Sequence, residues 1–326
     1  MKKIFFFCSV VLLSILGAAC AATSASVPVG VQKEILQLDI AVLRGPGGIG
    51  SVWLMEEAVN VQKNYTFHLA DSPEQVVAWL ANGTVKMAAL PSNLAANLYE
   101  KTKGQIRMTA IITRGMLYLL QAGDEIKSWP ELAGHIIYAT GRGSNPEYIL
   151  LHLLKAHGFA VGENIDVVFE NDHTELATML AIGKVDLAML PEPFVTSVMA
   201  KNTAVSTLFD LSAEWEALGT GSLAMTALVS SADFITDHPQ AVEQFLSDMK
   251  TSINFAVNNV SEAAALCEKF DIIPTAAVAE LAIPRCNLTF ITGQEMKEAI
   301  TAYYEVLYAA NPQSIGGVMP EEGFYY

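Results

Sequence analysis

Basic residues are scarce in this chain. It has 19 Lys and Arg against 34 Asp and Glu, and a formal net charge of −15. Such a surface repels nucleic acid and anionic lipid, so neither is expected as a partner. Cysteine is nearly absent. Of the four, Cys8 lies in an apolar leader and Cys20 at its exit, which leaves Cys267 and Cys286 in the body. The six histidines (68, 135, 152, 157, 173, 238) are scattered, and His152 and His157 are five apart, off a shared helical face. That spacing argues against a metal site. A recognisable catalytic set is also missing: there is no nucleophile elbow, no Cys beside a His and no diagnosable carboxylate pair. Beyond the leader, no apolar run is long enough to cross a bilayer.

The leader itself is well marked. Lys2 and Lys3 form a basic start, Ile4–Leu16 an apolar run, and Gly17–Ala19 a small-residue exit, so residues 1–19 read as a signal peptide. Cys20 after Ala18 and Ala19 resembles a lipoprotein cleavage box, with Cys20 as the lipidated first residue. Ordinary cleavage within "AACAA" is the alternative. Either way the protein is exported. Removing Lys2 and Lys3 takes 19 basic residues to 17 against 34 acidic ones, a net −17. Residues 20–34 are small and polar and read as a lipidated tether ahead of a folded body. Export permits a disulfide between Cys267 and Cys286; two buried thiols are the other reading.

"VLRGPGGIGSVWLMEEA" (42–58) fits the G-x-G-x-x-G fingerprint of dinucleotide sites through Gly45, Gly47 and Gly50, with Asp71 further along. The acid has a simpler role. Ser72, Pro73 and Gln75 form a helix start with a capping box, and Asp71 favours the positive end of that helix. The glycines then mark a turn that approaches a ligand closely, and no cofactor is expected.

One hundred residues separate two similar segments, "VVAWLANGTVKMAALPS" (76–92) and "LATMLAIGKVDLAMLPE" (176–192). Seven positions agree without a gap, among them Gly83 with Gly183 and Pro91 with Pro191. Each copy predicts a helix, a Gly at its end, a buried strand and a Pro that stops pairing. Strand, Gly-rich turn and helix precede each copy. The chain therefore predicts an α/β fold with two similar Rossmann-like lobes built on parallel sheets.

In such sheets ligands sit beyond the strand ends, against helix N-termini. Arg44, Arg114 and Arg142, three of only five arginines, each end a predicted strand ahead of a Gly. Together they favour an oxygen-rich group; ordinary loop chemistry is the alternative. Glu192 follows a strand-ending Pro and would accept hydrogen bonds from an amine or ring N–H, or serve as a helix-start acid. Trp53, Tyr118, Tyr148 and Phe194 lie near these turns and could stack on a flat ring, or fill the core. Ser92, Asn93, Ser144 and Asn145 are polar contacts or helix caps.

The segments "SWPELAGHIIYATGRGSNPEYILLHLLKAHGF" (128–159), "TMLAIGKVDLAMLPEPF" (178–194), "DFITDHPQAVEQFL" (233–246) and "GGVMPEEGFYY" (316–326) are similar in order and content to a known family. It is the solute-binding proteins of ABC importers, of the nitrate/sulfonate/taurine and thiamine-precursor type. The resemblance implies a type II periplasmic-binding fold, with two lobes joined by a two-strand hinge and a ligand cleft between them. Lobe 1 would comprise 35–118 and 222–326 and lobe 2 119–221, with crossings near 117–123 and 222–230. It further implies a monomer that passes a small molecule to a membrane permease, without catalysis, in the periplasm or on the outer face of the cytoplasmic membrane. Matching pocket positions are Gly47, Gly48, Ser92, Asn93, Arg114, Gly143, Ser144, Glu192 and Phe194. Glu192 departs from anion binders and suits a nitrogenous heterocycle or amine.

Overall fold

Apolar segments of four to eight residues become strands wherever the pattern breaks at Gly, Pro or a charged turn. The computed structural model describes residues 36–60, 63–123 and 125–326; the leader, Cys20 and the tether lie outside them. The strands are β1 (Leu38–Leu43), β2 (Tyr65–Ala70), β3 (Met87–Pro91), β4 (Ile106–Thr113), β5 (Leu117–Ala122) and β6 (Ile136–Ala139). They continue with β7 (Asp166–Phe169), β8 (Leu187–Pro191), β9 (Val205–Asp210), β10 (Thr226–Ser231) and β11 (Leu288–Ile291).

Two sheets result, ordered β11-β4-β10-β3-β1-β2 and β7-β6-β8-β5-β9. Both follow one plan. β1 pairs in parallel with β2 and β3, and β6 with β7 and β8. Reversed strands complete both sheets: β10, arriving from the other lobe, runs antiparallel to β3 and β4, β11 runs antiparallel to β4, and β5 runs antiparallel to β8 and β9. This is the two-lobed α/β architecture that the repeat predicts.

The repeat is visible residue by residue. Helices Pro73–Ala81 and His173–Ala181 stand one hundred positions apart, as do β3 and β8, which share one burial pattern. Gly83 and Gly183 follow the helices at φ +76° and +70°, a region that side chains resist and glycine enters freely. Ser72 Oγ accepts the Gln75 N–H at 3.4 Å, while Gln75 Oε1 accepts the Asp71 N–H at 3.0 Å. The capping run of the first copy thus forms, and Asp172 Oδ1 caps the second by accepting the Glu175 N–H at 2.8 Å.

The chain passes between the two sheets just ahead of β5 and just ahead of β10. Leu117–Ala122 is β5 itself, because "LYLLQA" is apolar enough to be buried between β8 and β9. The first crossing is therefore Arg114–Met116, and the second is the stretch 218–225 ahead of β10. The two lie side by side: the Met225 N–H donates to the Thr113 carbonyl at 3.1 Å.

Helix Pro239–Asn258 buries Val242, Phe245, Leu246, Met249, Ile253 and Ala256 on one stripe, against the β1 residues Leu38, Ile40 and Val42. Helix Gly293–Ala310 buries Tyr303, Tyr304 and Leu307 on the opposite side of that sheet. Tyr303 also meets the fully buried Trp215 of the second lobe edge-on, with centroids 5.6 Å apart, so one core continues through both lobes. Cys267 and Cys286 are buried in the first-lobe core, each as a free thiol.

Candidate functional site

Four strand ends converge. β1 runs into Arg44–Gly47, β3 ends at Pro91, β6 leads to Gly141–Asn145, and β8 ends at Pro191 before Glu192. Their turns enclose a cavity of about 420 Å³ between the sheets, where parallel strands place ligand sites.

Eight of the residues that the sequence singles out line this cavity: Arg44 and Gly47 from the first lobe, and Arg142, Gly143, Ser144, Asn145, Glu192 and Phe194 from the second. The others are placed elsewhere, for distinct reasons. Gly48 is a close-packing glycine: a Cβ there would stand 2.9 Å from both Ile272 Cδ1 and the Leu43 carbonyl oxygen. Trp53 stacks on Phe255 at 4.2 Å, joining two helices of the first lobe. Tyr118 lies beneath the Arg285 guanidinium, 4.4 Å from its ring centroid, and Tyr148 packs against the shared core. Arg114 sits on the first crossing, Nη1 3.5 Å from Ser222 Oγ.

Ser92 and Asn93 are wholly buried and stitch the lobes together. Ser92 Oγ donates to the Ala224 carbonyl at 2.5 Å. Asn93 Nδ2 donates to the carbonyls of Gly143 and Ser314 at 3.3 and 3.2 Å. Asn145 reaches back across the same gap, donating from Nδ2 to Ser92 Oγ (3.1 Å) and to the Met225 carbonyl (2.8 Å). Its Oδ1 is buried with no hydrogen-bond partner, behind the cavity wall that the residue helps to line.

Glu192 is not the free acceptor that its position suggests. Its side chain is fully buried, Oε1 lies 2.5 Å from Arg285 Nε, and Oε2 accepts the Thr196 N–H at 3.2 Å. Burial raises its pKa, opposed by Thr196 and the Arg285 charge. Arg285 was invisible to the sequence reading, since it lies 93 residues away in a short 3₁₀ turn. Arg44 is likewise spoken for. Its Nε is 2.9 Å from Asp71 Oδ1 and its Nη1 2.8 Å from Asp271 Oδ2. The hydrogen bond it donates to Asp71 and the charges of Asp71 and Asp271 raise its pKa against desolvation. The second cavity arginine, Arg142, rests over Phe169 at 5.3 Å.

The wall that the sequence did not reveal is acidic. Asp71, Glu74, Glu170 and Asp172 join Glu192 in lining the cavity. Asp172 is the N-cap of one of the two matched helices and Asp71 stands one residue ahead of the Ser72 cap of the other, so a helix-start role accounts for both acids in the sequence. His173 completes this side. Its Nδ1 is 2.5 Å from Thr140 Oγ1, its ring meets Phe194 at 5.1 Å, and burial lowers its pKa, leaving a neutral ring at pH 7. Of these five carboxylates, Asp71 is paired with Arg44 and Glu192 with Arg285, while Asp172 Oδ1 caps its helix, so Glu74 and Glu170 are the lining acids without a cationic or capping partner among the described residues.

The "NMT1/THI5 like" family model matches residues 66–263. Among solved structures, an ABC transporter from Parabacteroides distasonis is 24% identical with a TM-score of 0.74; the match covers 89% of this chain and 98% of that one. The periplasmic aliphatic sulphonate binding protein SsuA from Escherichia coli is 15% identical at a TM-score of 0.69, covering 87% and 92%. The periplasmic nitrate-binding protein NrtA from Synechocystis is 11% identical at 0.58, covering 81% and 75%. No curated protein matches the chain.

Proposed function

Because this chain belongs to the NMT1/THI5-like family, we propose that it is an exported solute-binding protein which delivers a small nitrogen-bearing organic molecule to an ABC permease. The ligand is an amine or nitrogen heterocycle, held in the 420 Å³ cavity and released intact. The protein works as a monomer anchored through a lipid on Cys20. The observation that supports the ligand class is the acidic wall to which Glu74, Glu170 and Asp172 contribute, with Asp71 beside them paired to Arg44. Ligand N–H groups satisfy such acceptors, and a sulfonate or nitrate does not. Lobe closure brings contacts from both sheets onto one molecule, so binding favours the closed state by its differential affinity.

A thermal-shift panel of amines, aminopyrimidines, sulfonates and nitrate tests this. Amines or aminopyrimidines raise Tm and are recovered unchanged by mass spectrometry. A shift with sulfonates or nitrate alone overturns the ligand class, and a chemically altered compound overturns binding without turnover. Lipidation is read separately, from the mass of the N-terminal peptide of membrane-purified protein.

A further inference from the structure

A second chamber of about 250 Å³ adjoins the first. The two share Arg44, Gly45, Pro193 and Phe194 as walls, and Gly45 faces Pro193 across the partition, a Cβ on the glycine standing 3.9 Å from Pro193 Cδ. The chamber is bounded by helices His173–Ala181 and Phe194–Lys201 of one lobe and the Ile272–Pro274 loop of the other. Its chemistry is opposite to that of its neighbour. Ala177, Val198, Ile272 and Pro274 make it apolar, and it contains no carboxylate. The hydroxyls of Thr178 and Ser197 already donate to carbonyls one turn back, at 2.8 and 3.0 Å. Lys201 stands in its wall, exposed and without an ion-pair partner among the described residues.

We propose that the ligand is bipartite: its nitrogenous head occupies the acidic cavity, and an apolar tail ending in an anionic group reaches the second chamber and Lys201 once the Gly45–Pro193 partition, closed in this structure, parts. This rests on the proposed nitrogenous ligand class. It adds that the molecule is elongated and carries opposite charges at its ends. A head alone would leave the apolar chamber filled with water that makes few hydrogen bonds there, so each buried methylene gains affinity.

Calorimetric titration with propylamine, hexylamine, γ-aminobutyrate and ε-aminocaproate tests the inference on the full chain. Affinity is expected to rise about three- to fourfold per added methylene in both series. Thr178→Trp fills the chamber from an exposed helical position. It should abolish the dependence on length while leaving propylamine binding unchanged, and Ala177→Leu should reduce that dependence. Lys201→Ala should weaken ε-aminocaproate about two- to fivefold and leave hexylamine unaffected. Equal binding of short and long amines overturns the tail site, as does a length dependence that survives Thr178→Trp. Indifference of ε-aminocaproate to Lys201→Ala overturns the anionic end. If no compound of either series binds, the ligand class itself falls and the inference with it.

Discussion

Arg285 and Glu192 form an ion pair across the cleft, Nε to Oε1 at 2.5 Å, with the carboxylate fully buried and the guanidinium about one-third exposed. The two partners therefore answer differently to removal. Arg285→Ala strands a buried charge, whereas Glu192→Gln leaves a cation that water can reach. Arg285→Ala is expected to cost about 3 kcal/mol at neutral pH and Glu192→Gln clearly less, as read by urea denaturation. Burial holds the Glu192 pKa above its usual 4.5, so its contribution is full below that value and is lost as pH rises through the folded pKa. The penalty of Arg285→Ala should accordingly shrink as pH falls through the carboxylate range. Equal costs for the two variants, or a pH-independent penalty, would contradict this account.

Trp215 tests the continuity of the core. It is fully buried, meets Tyr303 of the other lobe edge-on at 5.6 Å, and lies 4.8 Å from the His152 ring. Trp215→Ala opens a cavity where the lobes share one packed interior and is expected to cost about 3–5 kcal/mol. Unfolding should remain a single transition followed identically by fluorescence and circular dichroism. Two separated transitions would mean that the lobes do not share a cooperative core.

Local chemistry made much of this legible. The hundred-residue echo, with the two lobes it implies, the caps at Ser72 and Asp172, and the strand-ending prolines each follow from a few neighbouring residues, and the family resemblance adds the cleft between the lobes. What stayed hidden depends on partners distant in sequence. Glu192 looked free because Arg285 is 93 residues away, and Trp53 looked like a stacking platform because Phe255 lies two hundred residues on. Asp71 stands at a helix start, and sequence cannot show that the same residue also lines a cavity.

The two body cysteines should be unreactive in the folded protein. Both lie in apolar surroundings; burial pushes the Cys267 thiol up to about 12, and raises that of Cys286 well above its usual value, with Glu192 and Cys267 adding to the rise. Without thiolate there is little nucleophile at neutral pH. A maleimide should label neither thiol natively and both in urea. Peptide mass mapping of protein exported into an oxidising medium should find them unbridged. Rapid native labelling, or a mass lower by two hydrogens, would show that the first-lobe core is open.

His173 gives the cavity a pH dependence with a definite sign. Burial lowers its pKa below 6.5 while Asp172 works in the opposite direction. A histidine that resists protonation when folded contributes stability that is present above its unfolded pKa and is lost as pH falls through that value and toward the folded one. The groups facing it are Thr140 on Nδ1 and the Phe194 ring, with Asp172 beside it at the helix start. Stability should therefore decline on acidification from about pH 6.5 downward, and His173→Gln should flatten part of that slope. His152, also held below its usual value by burial and by Lys155, supplies a second share. The double variant His152→Gln/His173→Gln should flatten it further in urea melts between pH 5 and pH 7. Nuclear magnetic resonance titration of the His173 ring protons gives the direct check, and a midpoint above 6.5 would reverse the predicted sign.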